Sequence, residues 1–568
     1  MNKKTQGISK DLTSYGDEKF SNFIRKSFAK SMGYTNLSLE KPIVGICYTE
    51  SGYNSCHRNF PEMLEAVKRG VLSSGALPIS FPVISLGETF LNPTSMVYRN
   101  LMSMCVEEMI SAQPMDSVIL MGGCDKTVPA LLMGAFSANI PSVLLVSGPM
   151  MTSSYKNERL GACTDCRRFW LKYRANQIKK EEINLIEDKL ATTAGTCSIM
   201  GTASSMAIIS EILGIMLPGT SCIPSVHSDR LRASEETGVI AANLAIKNGL
   251  LPNEIISKKS FENALRVLLA ISGSTNAIIH LTAIARRLGI SISLEQLNKI
   301  SDETPVLVNL KPTGEGYMED LYACGGLDSI LYELKNQLHL DTIDLTGKTL
   351  KERLKNRKKN NINDIIIYSK SNPVNKKGGL IALFGSLAPG GAILKRAAAS
   401  ENLFEHEGKA VVFSSLKDLA DRIDDPELDV SKEDILILQN AGPSSKSGMP
   451  EAGYLPIPKK LSQKGVKDMV RISDARMSGS AFGTIILHVT PESNLGGPLS
   501  IVKTGDKIKL SVSNKSIDLL ISKEEMKQRL SRFQKNKDIH KRGYKHLYQK
   551  NVLPATEGCD FDFLSKKD

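Results

Sequence analysis

The chain has 568 residues and a mass of 62.0 kDa, too long for one ordinary core, and points to two or three domains. Hydrophobic residues make up 41% and charged residues 23%, which excludes a mainly disordered chain. The net charge of +12 comes mostly from lysines in polar stretches such as Lys355 to Lys359 and Lys535 to Arg542, without interleaved aromatics, so no nucleic-acid partner is expected.

Aromatic content is only 5% while glycines number 43, a balance that favours layered α/β packing over an aromatic-rich sandwich. No apolar run is long enough to span a membrane. The opening MNKKTQGISKDLTSYGDEKF has no apolar core or small-residue cleavage site and does not read as a signal peptide. A cytoplasmic location is therefore expected, where the ten cysteines stay as free thiols available as ligands.

In chain order, IVGICY reads as a strand, followed by a helix over 96–112. SVILMGG at 117–123 and SVLLVSG at 142–148 read as strands, and TVPALLMGAFSANI between them as a helix. Strand–helix–strand is the unit of a parallel sheet. ASSMAIISEILGIM at 203–216 is apolar almost all round and should be a buried helix. A basic, Asn-rich stretch over 351–379 ends in paired glycines and reads as a linker. Beyond it KAVVFSSL, DILILQNAGP and GTIILHVT read as strands, and KIKLSVS–NKS–IDLLIS as a hairpin. The expected architecture is α/β: an N-terminal parallel-sheet domain over 1–375, then a smaller β-rich, barrel-like domain over 376–568.

Chemistry-bearing residues concentrate where cysteines meet acids and glycines. Cys124, in MGGCDKTVPA, follows the strand 117–121 at the start of a helix, where open α/β sheets place their sites and where the helix dipole favours a thiolate. Cys197, in AGTCSIMGTASSM, also precedes a helix, and Cys56 lies in the polar turn ESGYNSCHRNF. Three such thiols suit an iron–sulfur cluster with one open iron, although their spacing is unlike the compact ferredoxin runs. Taken singly, Cys56 and Cys197 read first as packing residues. GGCDKT is no phosphate loop, because Asp125 stands where that motif requires glycine before the lysine. Asp125 beside Lys126 suits a divalent cation instead, and Glu88 in SLGETF and Glu451 in SGMPEAGYLP are further oxygen donors in turns. Ser478, with Ser480 close by, lies in a small-residue loop that is not a hydrolase elbow. The CxxC formed by Cys163 and Cys166 has no second pair or paired histidine to complete a zinc site, and no role follows for it. Cys47, Cys105, Cys222, Cys324 and Cys559 read as packing.

Together SCHRNF, GGCDKTVPALLMGA, TCSIMGTASSMA, GMPEAGYLP, SDARMSGSAFGTIILHVTPES and NLGGPLSIVKTGDKI resemble the family of dihydroxy-acid and phosphogluconate dehydratases, in the family's order and from about residue 40 onward. DARMSGSAFGTIILHVTPES and RGYKHLYQKNVLPATEGCDFDFL are most similar to the sugar-acid dehydratases that act on arabinonate or xylonate. The resemblance implies a hydro-lyase converting an aldonate, a pentonate first, to a 2-keto-3-deoxy acid. It implies Cys56, Cys124 and Cys197 as ligands of an iron–sulfur cluster, [2Fe–2S] in preference to [4Fe–4S]. It implies Glu88, Asp125 and Glu451 as Mg²⁺ ligands, with Lys126 at a position carbamylated in some members, and Ser478 as the alkoxide base. A homodimer or homotetramer without nucleic-acid or membrane partners is implied too. Rival readings are a branched-chain dihydroxy-acid dehydratase and, more distantly, a basic nucleic-acid-binding protein with a non-catalytic cluster.

Overall fold

A computed structural model describes residues 5–355, 365–534 and 539–565. Part of the expected linker, 356–364, and part of the second lysine-rich stretch, 535–538, lie outside the described residues.

After the helix Glu18–Ser31 come four parallel strands: β1 (Ile43–Tyr48), β2 (Leu77–Pro82), β3 (Ser117–Gly122) and β4 (Ser142–Val146), in the spatial order β2-β1-β3-β4. Val44 of β1 stands opposite Ser117 of β3, and Val118 of β3 opposite Ser142 of β4. Every residue of β3 and β4 is buried, which is why these segments read as continuous apolar runs rather than alternating ones. The chain runs outward from β1 to β2, then returns to the other side for β3 and β4. The order therefore reverses between β1 and β3, and the crevice beyond their carboxyl ends is where such sheets bind ligands.

Helices close over this sheet at short range. The helix Phe60–Ser73 meets the helix Ser228–Lys247 at Gly70, where a Cβ would stand 2.0 Å from the Glu235 carbonyl oxygen. The helix Thr202–Ile212 is buried along nearly its whole surface, as its apolar sequence predicts. A small hairpin, β5 (Ser153–Tyr155) and β6 (Glu158–Leu160), precedes the helix Thr164–Arg174 that carries the CxxC at its start.

The second sheet has eight strands: β7 (Ile381–Leu383), β8 (Gly391–Leu394), β9 (Glu405–Phe413), β10 (Ile435–Leu438), β11 (Arg471–Ser473), β12 (Ile485–Thr490), β13 (Lys507–Ser511) and β14 (Ser516–Leu519). Their order is β14-β13-β9-β10-β11-β12-β8-β7, with β9 to β12 parallel and the flanking pairs antiparallel. The Phe384 amide donates to Lys515 O and the Ile517 amide to Phe384 O, so the two edges meet and the sheet nearly closes into a barrel. The expected hairpin is β13–β14. β7 faces two ways. Leu380 and Ala382 pack into the large N-terminal core, while Ile381 and Leu383 pack inside the barrel.

The C-terminal tail returns to the N-terminal part. Val97, Tyr548 and Phe561 pack together, Arg99 donates to the carbonyls of Gly558 and Cys559, and Arg287 pairs with Asp560 at 2.6 Å. Among the described residues no helix is long and apolar enough to cross a membrane.

Candidate active site

The crevice beyond β1 and β3 receives the first two cysteines. Cys56 lies in the short helical turn Ser55–His57 after β1, and Cys124 lies between β3 and the helix Thr127–Ala138. His57 ties these loops together. Its Nδ1 donates to Thr49 O at 2.7 Å, leaving Nε2 to accept from the amides of Gly123 and Cys124 at 3.0 and 3.2 Å. Burial lowers the His57 pKa to about 4, so the ring is neutral and keeps that acceptor. Cys56 lies close enough to the Cys124 thiol to raise its pKa, and Cys124 Sγ lies 3.5 Å from Asp125 Oδ1.

Cys197 comes from the loop before the helix Thr202–Ile212, near enough to feel the charge of Cys56. Its Sγ lies 3.1 Å from Cys163 Sγ, so the CxxC without an expected role stands beside an expected cluster ligand. Cys124 and Cys197 are both pushed well above the usual thiol range. For Cys124 the hydrogen bond with Cys56 leads and burial adds to it; for Cys197 the partner is Cys163. Among the described residues no three His, Cys, Asp or Glu side chains surround one ion-sized point; Cys56 stands beside Cys124, and Cys163 beside both Cys166 and Cys197.

The expected carboxylates converge on one guanidinium. Arg476, on the loop after β11, donates through Nη2 to Glu88 Oε1 at 2.8 Å and through Nη1 to Glu451 Oε1 at 2.6 Å. Asp125 lies close enough to feel the same charge and pairs with the wholly buried Lys126 at 2.5 Å. Burial lifts Glu451 above the usual carboxylate range; Glu88 and Asp125 add to this, against the pull of Arg476. Asp125 is held below that range, because Lys126 and Arg476 outweigh its own burial. Glu88 is fixed further by hydroxyl donation from Thr94, at 3.0 Å, and Ser95. Three carboxylates thus share two cations, a surplus of negative charge that suits a divalent cation.

Ser478 reaches this region from the other sheet. Its Oγ is 2.8 Å from Ser480 Oγ, which lies 3.4 Å from Arg167 Nε on the CxxC helix. A Cβ on Gly479 would stand 2.6 Å from the Thr202 amide nitrogen, so this loop lies against the N-terminus of the helix that follows Cys197. The Arg167 guanidinium covers the Tyr454 ring at 4.7 Å.

Residues 41–353 match the dihydroxy-acid/6-phosphogluconate dehydratase N-terminal family model, and 365–559 match its C-terminal counterpart. The chain belongs to this family. An L-arabinonate dehydratase of Rhizobium leguminosarum bv. trifolii is 41% identical over 97% of this chain and 95% of its own length. A 6-deoxy-6-sulfo-D-gluconate dehydratase of Pseudomonas putida is 40% identical over 92% of this chain and 90% of its own. A dihydroxy-acid dehydratase of Clostridium botulinum is 34% identical over 94% and 97%. The protein is accordingly a dehydratase, a carbon–oxygen hydro-lyase.

Sequence reasoning about this dehydratase missed Arg476 and His57. Both flank quoted segments, in SDARMSG and SCHRNF, but their partners are distant in sequence. The packing cysteines Cys47, Cys222, Cys324 and Cys559 are buried as expected, while Cys105 is only half-buried.

Proposed function

We propose that this enzyme dehydrates an aldonate, a pentonate first, to the 2-keto-3-deoxy acid. The observation that carries the reading is the polar surrounding of Ser478. Ser480, Arg167 and Thr164, whose Oγ1 donates to Ser480 O at 3.2 Å, offer hydrogen bonds to a polyhydroxylated chain. An aliphatic dihydroxy acid would leave such groups unpaired. The sugar-acid names of relatives at about 40% identity support the same substrate class.

Cys56, Cys124 and Cys197 would hold an iron–sulfur cluster, [2Fe–2S] in our reading, and Glu88, Asp125, Glu451 and Lys126 a Mg²⁺ ion. The donor sets fit: buried thiols pushed up in pKa ionise when a metal supplies positive charge, and carboxylates suit magnesium. When bound, the two groups supply Lewis acidity toward the substrate oxygens. Ser478 Oγ takes the C2 proton. Its alkoxide is favoured by the Ser480 hydroxyl at 2.8 Å and by the adjacent helix N-terminus. As the C2 electrons form the double bond, the C3–O bond breaks, the departing hydroxide takes up the proton that Ser478 removed and leaves as water, and the resulting enol tautomerises to the keto acid. Arg476 orients Glu88 and Glu451 through its two charged hydrogen bonds.

We place the enzyme in the cytoplasm as a homodimer or homotetramer. Phe20, Phe23 and Phe28 stand exposed on the helix Glu18–Ser31, with exposed Met32 just beyond it, apolar surface suited to a subunit contact.

The test is 2-keto acid formation by anaerobically purified protein with Mg²⁺, across pentonates, hexonates, 6-phosphogluconate and 2,3-dihydroxyisovalerate. Turnover of a pentonate or hexonate with little on the branched acid is expected. Preference for 2,3-dihydroxyisovalerate would overturn the substrate assignment.

A further inference from the structure

Cys163 is a thiol that the proposed chemistry does not use, yet its Sγ lies 3.1 Å from that of Cys197. The contact is built into the backbone. The Ser198 amide donates to Ala162 O at 3.0 Å, clipping together the residues next to each cysteine, and the Ser198 hydroxyl reaches the same carbonyl at 3.3 Å. Both cysteines are half-buried, whereas Cys124 is buried. Cys163 also stands at the N-cap position of the helix Thr164–Arg174, with Arg167 one turn on. Oxidants thus have access to a thiol pair already in contact, short of the ~2.05 Å bonding distance by about one ångström.

We propose that Cys163 and Cys197 form a reversible disulfide when the cluster site is empty, withdrawing Cys197 from iron until a dithiol reduces the bond. This rests on our reading of Cys197 as a cluster ligand. The oxidant is hydrogen peroxide. One thiol sulfur attacks a peroxide oxygen, the O–O bond breaks, and water leaves a sulfenic acid behind. The second thiol attacks that sulfur, the S–O bond breaks, a second water leaves and the S–S bond forms. Two electrons pass from sulfur to peroxide and both thiol protons end in water. A Cys197 sulfur bound to iron is not free to join the bond, so disulfide and cluster exclude each other. The disulfide also stops Cys197 short of irreversible sulfinic acid.

The experiment treats the full chain, stripped of metal by a chelator and reduced, with one equivalent of hydrogen peroxide. Free thiols are alkylated and an unreduced digest is read by mass spectrometry. Because Cys166 shares the tryptic peptide of Cys163, and Cys222 that of Cys197, fragmentation must place the bridge. A Cys163–Cys197 cross-link is expected, along with loss of iron and sulfide uptake that dithiothreitol restores. Cys163→Ser should lose the cross-link and load iron without reductant; if that variant does not fold, Cys166→Ser should keep the cross-link. Alkylation of both thiols, or a bridge joining Cys163 to Cys166 or Cys56 to Cys124 instead, would overturn the proposal. Failure of the fully reduced protein to load iron and sulfide would sink the cluster reading separately, with the peptide map still deciding the disulfide.

Discussion

A buried thiol resists ionisation, whereas a buried carboxylate needs a cation, and the site meets both demands with a few fixed residues. Arg476 answers for the carboxylates: burial would lower its own pKa, but Glu88, Glu451 and Asp125 raise it, so it stays charged. His57 answers for the loops, by accepting from two buried amides that no water would satisfy. Replacing it as His57→Leu keeps bulk and deletes the acceptor, leaving unpaired N–H groups that cost roughly 1–3 kcal/mol each. The expected result is iron affinity weakened about 10–100-fold, read as iron per chain under chelator competition. Iron retention equal to the parent would remove His57 from the supporting set. Ser478 is a different case, because it contacts Ser480 rather than any cysteine. Ser478→Ala should lower turnover by at least about 10²–10⁴-fold while leaving the visible absorbance of the cluster unchanged. Loss of that absorbance would make the serine structural.

Close approach sets the limits for whole elements. At Gly70 the helices Phe60–Ser73 and Ser228–Lys247 leave no room for a methyl group, since backbone rather than a flexible side chain faces it. Gly70→Ala should force these helices apart at a cost of about 1–3 kcal/mol, despite the better helix propensity of alanine. Thermal melting of the variant reads this directly, and an unchanged or raised midpoint would show that the helices give way. The same contrast explains what the sequence reveals. β3 and β4 are legible because every residue is apolar or small and a helix intervenes, and β13–β14 because they alternate around a short turn. β7 and β8 span three and four residues, too short for a pattern, and exist through pairing with β12 and contact with two cores. The residues proposed for the site were nameable one by one through family likeness. Their convergence on Arg476, and the meeting of Cys163 with Cys197, depend on loops far apart in the chain.

Buried bases, Lys395 and His488 among them, make the stability of the whole molecule depend on pH. Lys395, just after β8, is fully buried, and among the described residues its Nζ has no hydrogen-bond partner; burial lowers its pKa to about 7. The unfolded chain protonates this amine near its ordinary 10.5. Between these values the unfolded state binds the additional proton, so the contribution of Lys395 to stability rises with pH and falls as pH drops toward 7. The shift corresponds to a stability change on the order of 5 kcal/mol at most. His488 repeats the argument lower down. Burial first, then the charge of Arg476, lowers it from 6.5 to about 3, so a second loss sets in as pH falls through 6.5. The fold should therefore be more stable at pH 9 than at pH 7 in urea titrations, against the common maximum between about pH 5 and 8. Lys395→Met fills a similar volume without the amine, and should flatten the pH 7–9 limb while leaving the acid limb in place. A parent curve already flat above pH 7 would mean that Lys395 keeps its proton in the folded state.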